Sequence, residues 1–159
     1  MFSFHKNMPG LHFLPTKQTF SAPTPLLLAS MLYVSSLRHS SRELAALSSD
    51  YFKVMCGAIA ELSMPQPEAD ANSIIPAFTL EESAFQDVLG IILAGLTCEA
   101  STKTTGIWIL IGYRLVLESC PRGIDERSRE WQRLFSGLQV NLIVHPCIRL
   151  VLKTSDHRP

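Results

Sequence analysis

No two of the cysteines, Cys56, Cys98, Cys120 and Cys147, are spaced as a C-x-x-C pair. A structural zinc site needs thiolates brought to one point, which closely spaced pairs do at least cost; that signal is missing. Disulfide scaffolds are as a rule shorter secreted chains, so the thiols are expected to be reduced, small hydrophobes inside a core, in a reducing compartment. A charge excess is missing too: Lys plus Arg is 14, Asp plus Glu is 14, and the net charge is zero. Proteins that neutralise phosphates carry a basic surplus, so direct contact with nucleic acid is not expected of this chain. Charged residues of any sign are scarce, at 18% against about 25% in an average domain, while hydrophobic residues reach 47%. That composition excludes disorder along the whole length, and 159 residues suffice for about one domain with a core of its own.

Long apolar runs are also lacking. VLGIILAGL (88–96) and GIWILIGYRLVL (106–117) are the longest, and the second contains Arg114. Both fall short of the roughly 18–20 apolar residues of a membrane span, so no membrane partner is expected. LLLASMLYV (26–34) has the length of a signal-peptide apolar region. It starts late, after Pro23 and Pro25, without a small-x-small cleavage pattern, and is better explained as a buried helix.

The motifs of common chemistries are absent as well. There is no G-x-x-x-x-G-K-[ST] loop, no G-x-G-x-x-G after a strand, no G-x-S-x-G elbow and no H-E-x-x-H pair, and the five histidines are scattered. Glu81, Glu82 and Asp87 cluster near a helix start. They could do acid–base work, but carboxylates there also stabilise the positive end of the helix dipole, and that explanation is preferred. Arg114 is a lone cation in an apolar helix. Either it binds an anionic ligand or it pairs with a buried carboxylate such as Asp87, since an unpaired buried charge is costly; the structural pair is preferred. Trp108, Tyr113 and Trp131 are expected in the core rather than around a ligand. Cys120 precedes Pro121 at a helix C-terminus, which does not lower a thiol pKa. No enzyme is expected.

What is present is helical. Residues 1–23 have no period and are expected to form an irregular arm. Thr24-Pro25 supplies a capping hydroxyl and a proline for the first helical position. Ser40 with Glu43 forms a capping box, after which Leu44, Leu47, Tyr51, Val54, Met55, Ala58, Ile59 and Leu62 recur at three- and four-residue steps. Residues 64–78, with Pro65, Pro67 and Pro76, make a linker, and Thr79 with Glu82 a second capping box. The helix that follows is wholly apolar from Val88 to Leu96, with Gly90, Ala94 and Gly95 leaving one side small. A helix near 103–119 is apolar save for Arg114 and Glu118, and belongs at the centre of a bundle. A last helix, about 126–138, presents Trp131, Leu134, Phe135 and Leu138 on one face. The tail from Val140, NLIVHPCIRLVL, fits either a strand or an irregular segment, and 141–159 is expected to be irregular. The expected fold is all-α: an antiparallel bundle of about five helices over 24–140, a partial array with irregular termini. Its core residues are expected to include Leu89, Leu93, Trp108, Tyr113, Leu117, Trp131 and Phe135.

Four segments in order, PLLLASMLYVSSLR, YFKVMCGAIAELSMP, QDVLGIILAGLTCEASTKTTGIWILIGYRLVLESCP and REWQRLFSGLQV, resemble the regulatory (middle homology) domain of fungal zinc-binuclear-cluster transcription factors. The most specific parts are Gln86–Leu96, Thr105–Pro121 with its G-x-W-x-x-x-G-Y-R-L order, and Arg129–Leu138. The resemblance implies a non-catalytic, nuclear domain that regulates transcription through interdomain contacts or a small-molecule inducer. The family's cluster of six closely spaced cysteines has no counterpart here, so no cofactor is expected in this chain; zinc would enter only with an upstream cluster. The family domain runs further than the resemblance, so the chain is expected to be a fragment. Its partner would be another protein or the remainder of its own domain, with self-association through uncovered apolar surface. The competing reading is a standalone helical module that binds a ligand or a partner and has no DNA binding of its own.

Overall fold

The computed structural model describes residues 20, 22–64, 77–97, 100–123 and 126–155, with 77–79, 126 and 143–155 described by backbone alone. The expected arm at 1–23 and the Pro-rich linker at 64–78 lie mostly outside these residues. Among the described residues the fold is all-α, without strands. These residues form six helices: α1 Pro25–Leu37, α2 Arg42–Ala46, α3 Ser48–Leu62, α4 Ala77–Gly95, α5 Thr102–Ser119 and α6 Glu126–Ser155.

Two helix starts follow directly from local chemistry. Thr24 caps α1, its Oγ1 accepting from the Leu27 N–H at 3.3 Å, and Pro25 opens the helix. Ser101 caps α5, accepting from the Thr104 N–H at 3.1 Å. Side-chain oxygens at these positions satisfy amide donors that have no partner inside the helix.

Elsewhere the boundaries depart from the sequence reading. The stretch expected as one amphipathic helix after Ser40 is two. Ser41, not Ser40, stands at the N-cap of α2, without a side-chain capping bond. Leu47 separates α2 from α3, and Leu44, Leu47 and Val54 are exposed. The core side of α3 is Met55 and Ile59, flanked by Tyr51, Phe52, Cys56, Ala58 and Leu62. Helix α4 begins at Ala77, two residues before the expected cap at Thr79. The largest correction is the tail: α6 does not stop near 138 but runs through Pro146 to Ser155. A proline removes one backbone bond, here to the Leu142 carbonyl, and penalises the helix without obliging it to end. Leu138 and Asn141 are both buried, so the helix is seated in the core at least as far as Asn141.

The packing centres on α4, which contacts α1, α5 and α6; α1 also packs along α3, and α6 along α5. From Ala84 to Gly95 only Asp87 is not buried. Two glycines of α4 mark close approaches to its neighbours. A Cβ at Gly90 would stand 2.9 Å from Leu26 Cγ and 3.2 Å from the Leu27 amide nitrogen, so α1 seats on α4 there. A Cβ at Gly95 would stand 3.0 Å from Asn141 Nδ2, where α6 seats. The side left small by Gly90, Ala94 and Gly95 thus serves two neighbouring helices. The contacts climb α4 and α6 together: Phe85 meets Trp131 edge to face, with centroids 5.3 Å apart, and Asn141 Nδ2 donates to the Ile92 carbonyl at 3.0 Å. These two helices therefore run in the same sense, with α5 between them in sequence. That last bond is the buried polar contact fixing their register, since a slipped Asn141 would leave its amide unpaired.

Candidate interaction face

The sequence pairs Arg114 with Asp87; the structure does not. Arg114 is exposed. Its Nη2 donates to the Leu62 carbonyl at the end of α3, at 2.6 Å, and its Nε lies 3.7 Å from Glu118 Oε1 one turn on. Arg114 is therefore a helix-end clamp: a cation on a terminal carbonyl that α3 cannot satisfy internally. No buried charge exists there to demand a carboxylate.

Asp87 stands at the other side of α4, at the start of α1. The Thr24 side chain hydrogen-bonds it, and the Thr24 amide donates to Gln86 Oε1 at 2.8 Å. Burial pushes the Asp87 carboxyl above its ordinary range, and the Thr24 bond offsets part of that. The cluster of Glu81, Glu82 and Asp87 does not converge. Glu81 pairs with Arg127 of α6 at 3.3 Å, and Glu82 accepts from Gln86 Nε2 at 3.3 Å. The thiols of Cys56 and Cys120 are both pushed up by burial, that of Cys120 also by the Glu81 charge. Raised thiol pKa values keep sulfur protonated and unreactive. Among the described residues no group of three His, Cys, Asp or Glu could hold a metal, and no helix is long and apolar enough to cross a membrane.

Of the expected core residues, Leu89, Leu93, Trp108 and Trp131 are buried, and Tyr113 is partly buried. Phe135 sits at the edge, 37% exposed, its ring against Tyr113 with centroids 5.3 Å apart. Leu117 points outward and is 83% exposed, which overturns its place in the core. The reason lies in the surroundings of α5, which packs along α4 and α6 and meets α3 through Phe52 on Trp108 and through Arg114. Thr105, Trp108, Ile109, Gly112 and Val116 face inward. The opposite side carries Ile107, Leu110 and Leu117, at 59%, 68% and 83% exposure. With Lys103 and Arg114 they recur at four- and three-residue steps, forming one continuous stripe. A helix expected at the centre of the bundle is instead an outer one with an open apolar face. Apolarity on both sides of α5 was visible in the sequence; the side left uncovered was not.

Nothing matches this chain among protein-family models, curated proteins or solved structures.

Proposed function

We propose that the chain is a non-catalytic helical interaction domain, of the kind that regulates transcription in fungal zinc-binuclear-cluster factors, and that it acts in the nucleus by contact with protein rather than DNA. The observation that carries the interaction reading is the outward stripe of α5. Ile107, Leu110 and Leu117 stand open on one face of the helix, with Arg114 between the two leucines, and exposed apolar surface of that kind marks an interaction site. The transcriptional part rests on the order of the four resembling segments over 24–140. Zero net charge supports a protein partner over nucleic acid.

The test is a reporter assay with the whole chain fused to an unrelated DNA-binding domain and activation domain. The expected result is a change in reporter output that Ile107→Lys or Leu117→Lys cancels at equal protein level. Nuclear accumulation without any effect on the reporter would sink the regulatory reading. Recovery of a stoichiometric non-nuclear partner through the same face would favour the standalone binding module.

A further inference from the structure

We propose that the outward face of α5 pairs with the same face of a second copy of this chain, the two helices antiparallel about a two-fold axis near Leu110 and Ile111. The inference rests on reading this stripe as an interaction surface, and names its occupant.

The charges at the two ends of α5 select that occupant. Lys103 lies in the first turn and Glu118 in the last. Each has the wrong sign for its end, since a helix N-terminus is positive and a C-terminus negative. Within one copy the two residues are fifteen positions, or about 22 Å, apart along the helix and cannot relieve each other. Lys103 has no ion-pair partner among the described residues. Glu118 has Arg114 at 3.7 Å with both side chains about half exposed, a contact of small worth.

An antiparallel pair resolves both ends at once. A two-fold axis near Leu110 and Ile111 brings Lys103 of one copy opposite Glu118 of the other, and the symmetry makes that pairing twice. Each helix start then faces the end of the other helix, so the dipoles attract. Leu110 lies near the axis in both copies, and Ile107 of one copy meets position 114 of the other. Arg114 already turns its guanidinium to the Leu62 carbonyl, so its aliphatic stem is what faces Ile107. A parallel pair would set Lys103 against Lys103 and Glu118 against Glu118, and is disfavoured by the same charges. The helix face offers a footprint on the order of 300 Å² per copy, below the roughly 800 Å² of a standard stable interface. The dimer is therefore weak and concentration-dependent, in the micromolar range or above.

Sedimentation velocity of the full chain, over a dilution series from micromolar to millimolar, tests the pairing. The expected result is a monomer–dimer equilibrium. Leu110→Lys abolishes it while far-UV circular dichroism stays unchanged, because the position is exposed. Lys103→Glu and Glu118→Lys each raise the midpoint about ten-fold, and the double variant returns it to within about three-fold of the parent. The distance along one helix rules out rescue inside a single copy, so rescue reports contact between copies. A chain that stays monomeric throughout overturns the proposal, as does a dimer indifferent to Leu110→Lys or one that the double charge reversal fails to restore. A monomer whose reporter effect still depends on Leu117 would overturn the self-pairing alone and leave the interaction reading standing.

Discussion

Helices α4 and α5 have similar apolar sequences and opposite fates. Between Ala84 and Gly95 the first buries every residue but Asp87. The second buries Thr105, Trp108, Ile109, Gly112 and Val116 and leaves Ile107, Leu110 and Leu117 open. The difference is in what surrounds them. Helix α4 is flanked by α1, α5 and α6, whereas α5 has α4 and α6 along its length and touches α3 at Trp108 and Arg114. Burial energy follows area removed from water, so a leucine on α4 is worth several times a leucine on the outer face of α5, although the two cannot be told apart by composition.

The strongest way to break this contrast is to hollow the α4–α6 side. Trp131→Ala removes a ring that is 1% exposed and packs on Phe85. A loss of about 3–5 kcal/mol is expected, read by chemical denaturation; an unchanged midpoint would refute the burial of α6 on α4. Next comes the seat of α1. Gly90→Ala drives a methyl toward Leu26 Cγ and the backbone nitrogen of Leu27, a collision that backbone relieves poorly, and about 1–3 kcal/mol should be lost. The matching change on α5, Gly112→Ala, meets mainly the terminal methyls of Leu138. A rotamer shift and the roughly 1 kcal/mol of helix propensity gained should leave it close to neutral. Equal costs at the two glycines would argue against α4 as the more constrained helix.

A smaller effect is expected from pH. The Asp87 carboxyl is pushed up in the folded protein by burial, so the folded state holds its proton to higher pH than the unfolded state does. Stability contributed by this group is then fully present below the unfolded pKa and is lost as pH rises through the raised folded value. Asp87→Asn should flatten that part of the Tm-against-pH curve and leave the protein at neutral pH no less stable than the parent. A variant that melts lower at neutral pH would show the Thr24 bond outweighing desolvation. The smallest effect belongs to the open face: Leu117→Ala should change stability by no more than about 0.5 kcal/mol, while Leu93→Ala on α4 costs about 2–5 kcal/mol. Thermal melts of the two leucine variants side by side sharpen the comparison most directly.

Local signals carried far in this chain. Thr24-Pro25 marks the start of α1 because a cap needs only neighbouring residues, and Pro121 and Gly123 lie just past the end of α5 for the same reason. Trp131, Leu134 and Leu138 are legible as one face because helical periodicity is local too. Three other features were not. The break at Leu47 lies inside a run whose period is unbroken. The continuation of α6 past its expected end near 138 accompanies the contacts that Leu138 and Asn141 make on α5 and α4, and those contacts are set by the other helices. The partner of Arg114 is a backbone carbonyl, and backbone carbonyls leave no trace in composition.

By itself, then, the sequence determined that this protein is all-α, where α1 begins, and which residue types are available to a core. Those are consequences of short-range hydrogen bonding and of a 3.6-residue period. Only the tertiary structure decided that α4 rather than α5 is the central helix, that Leu117 faces water, and that Arg114 clamps α3 instead of meeting Asp87. A helix that is apolar on every side can bury only as many sides as it has neighbours, and the number of neighbours is set by the whole chain.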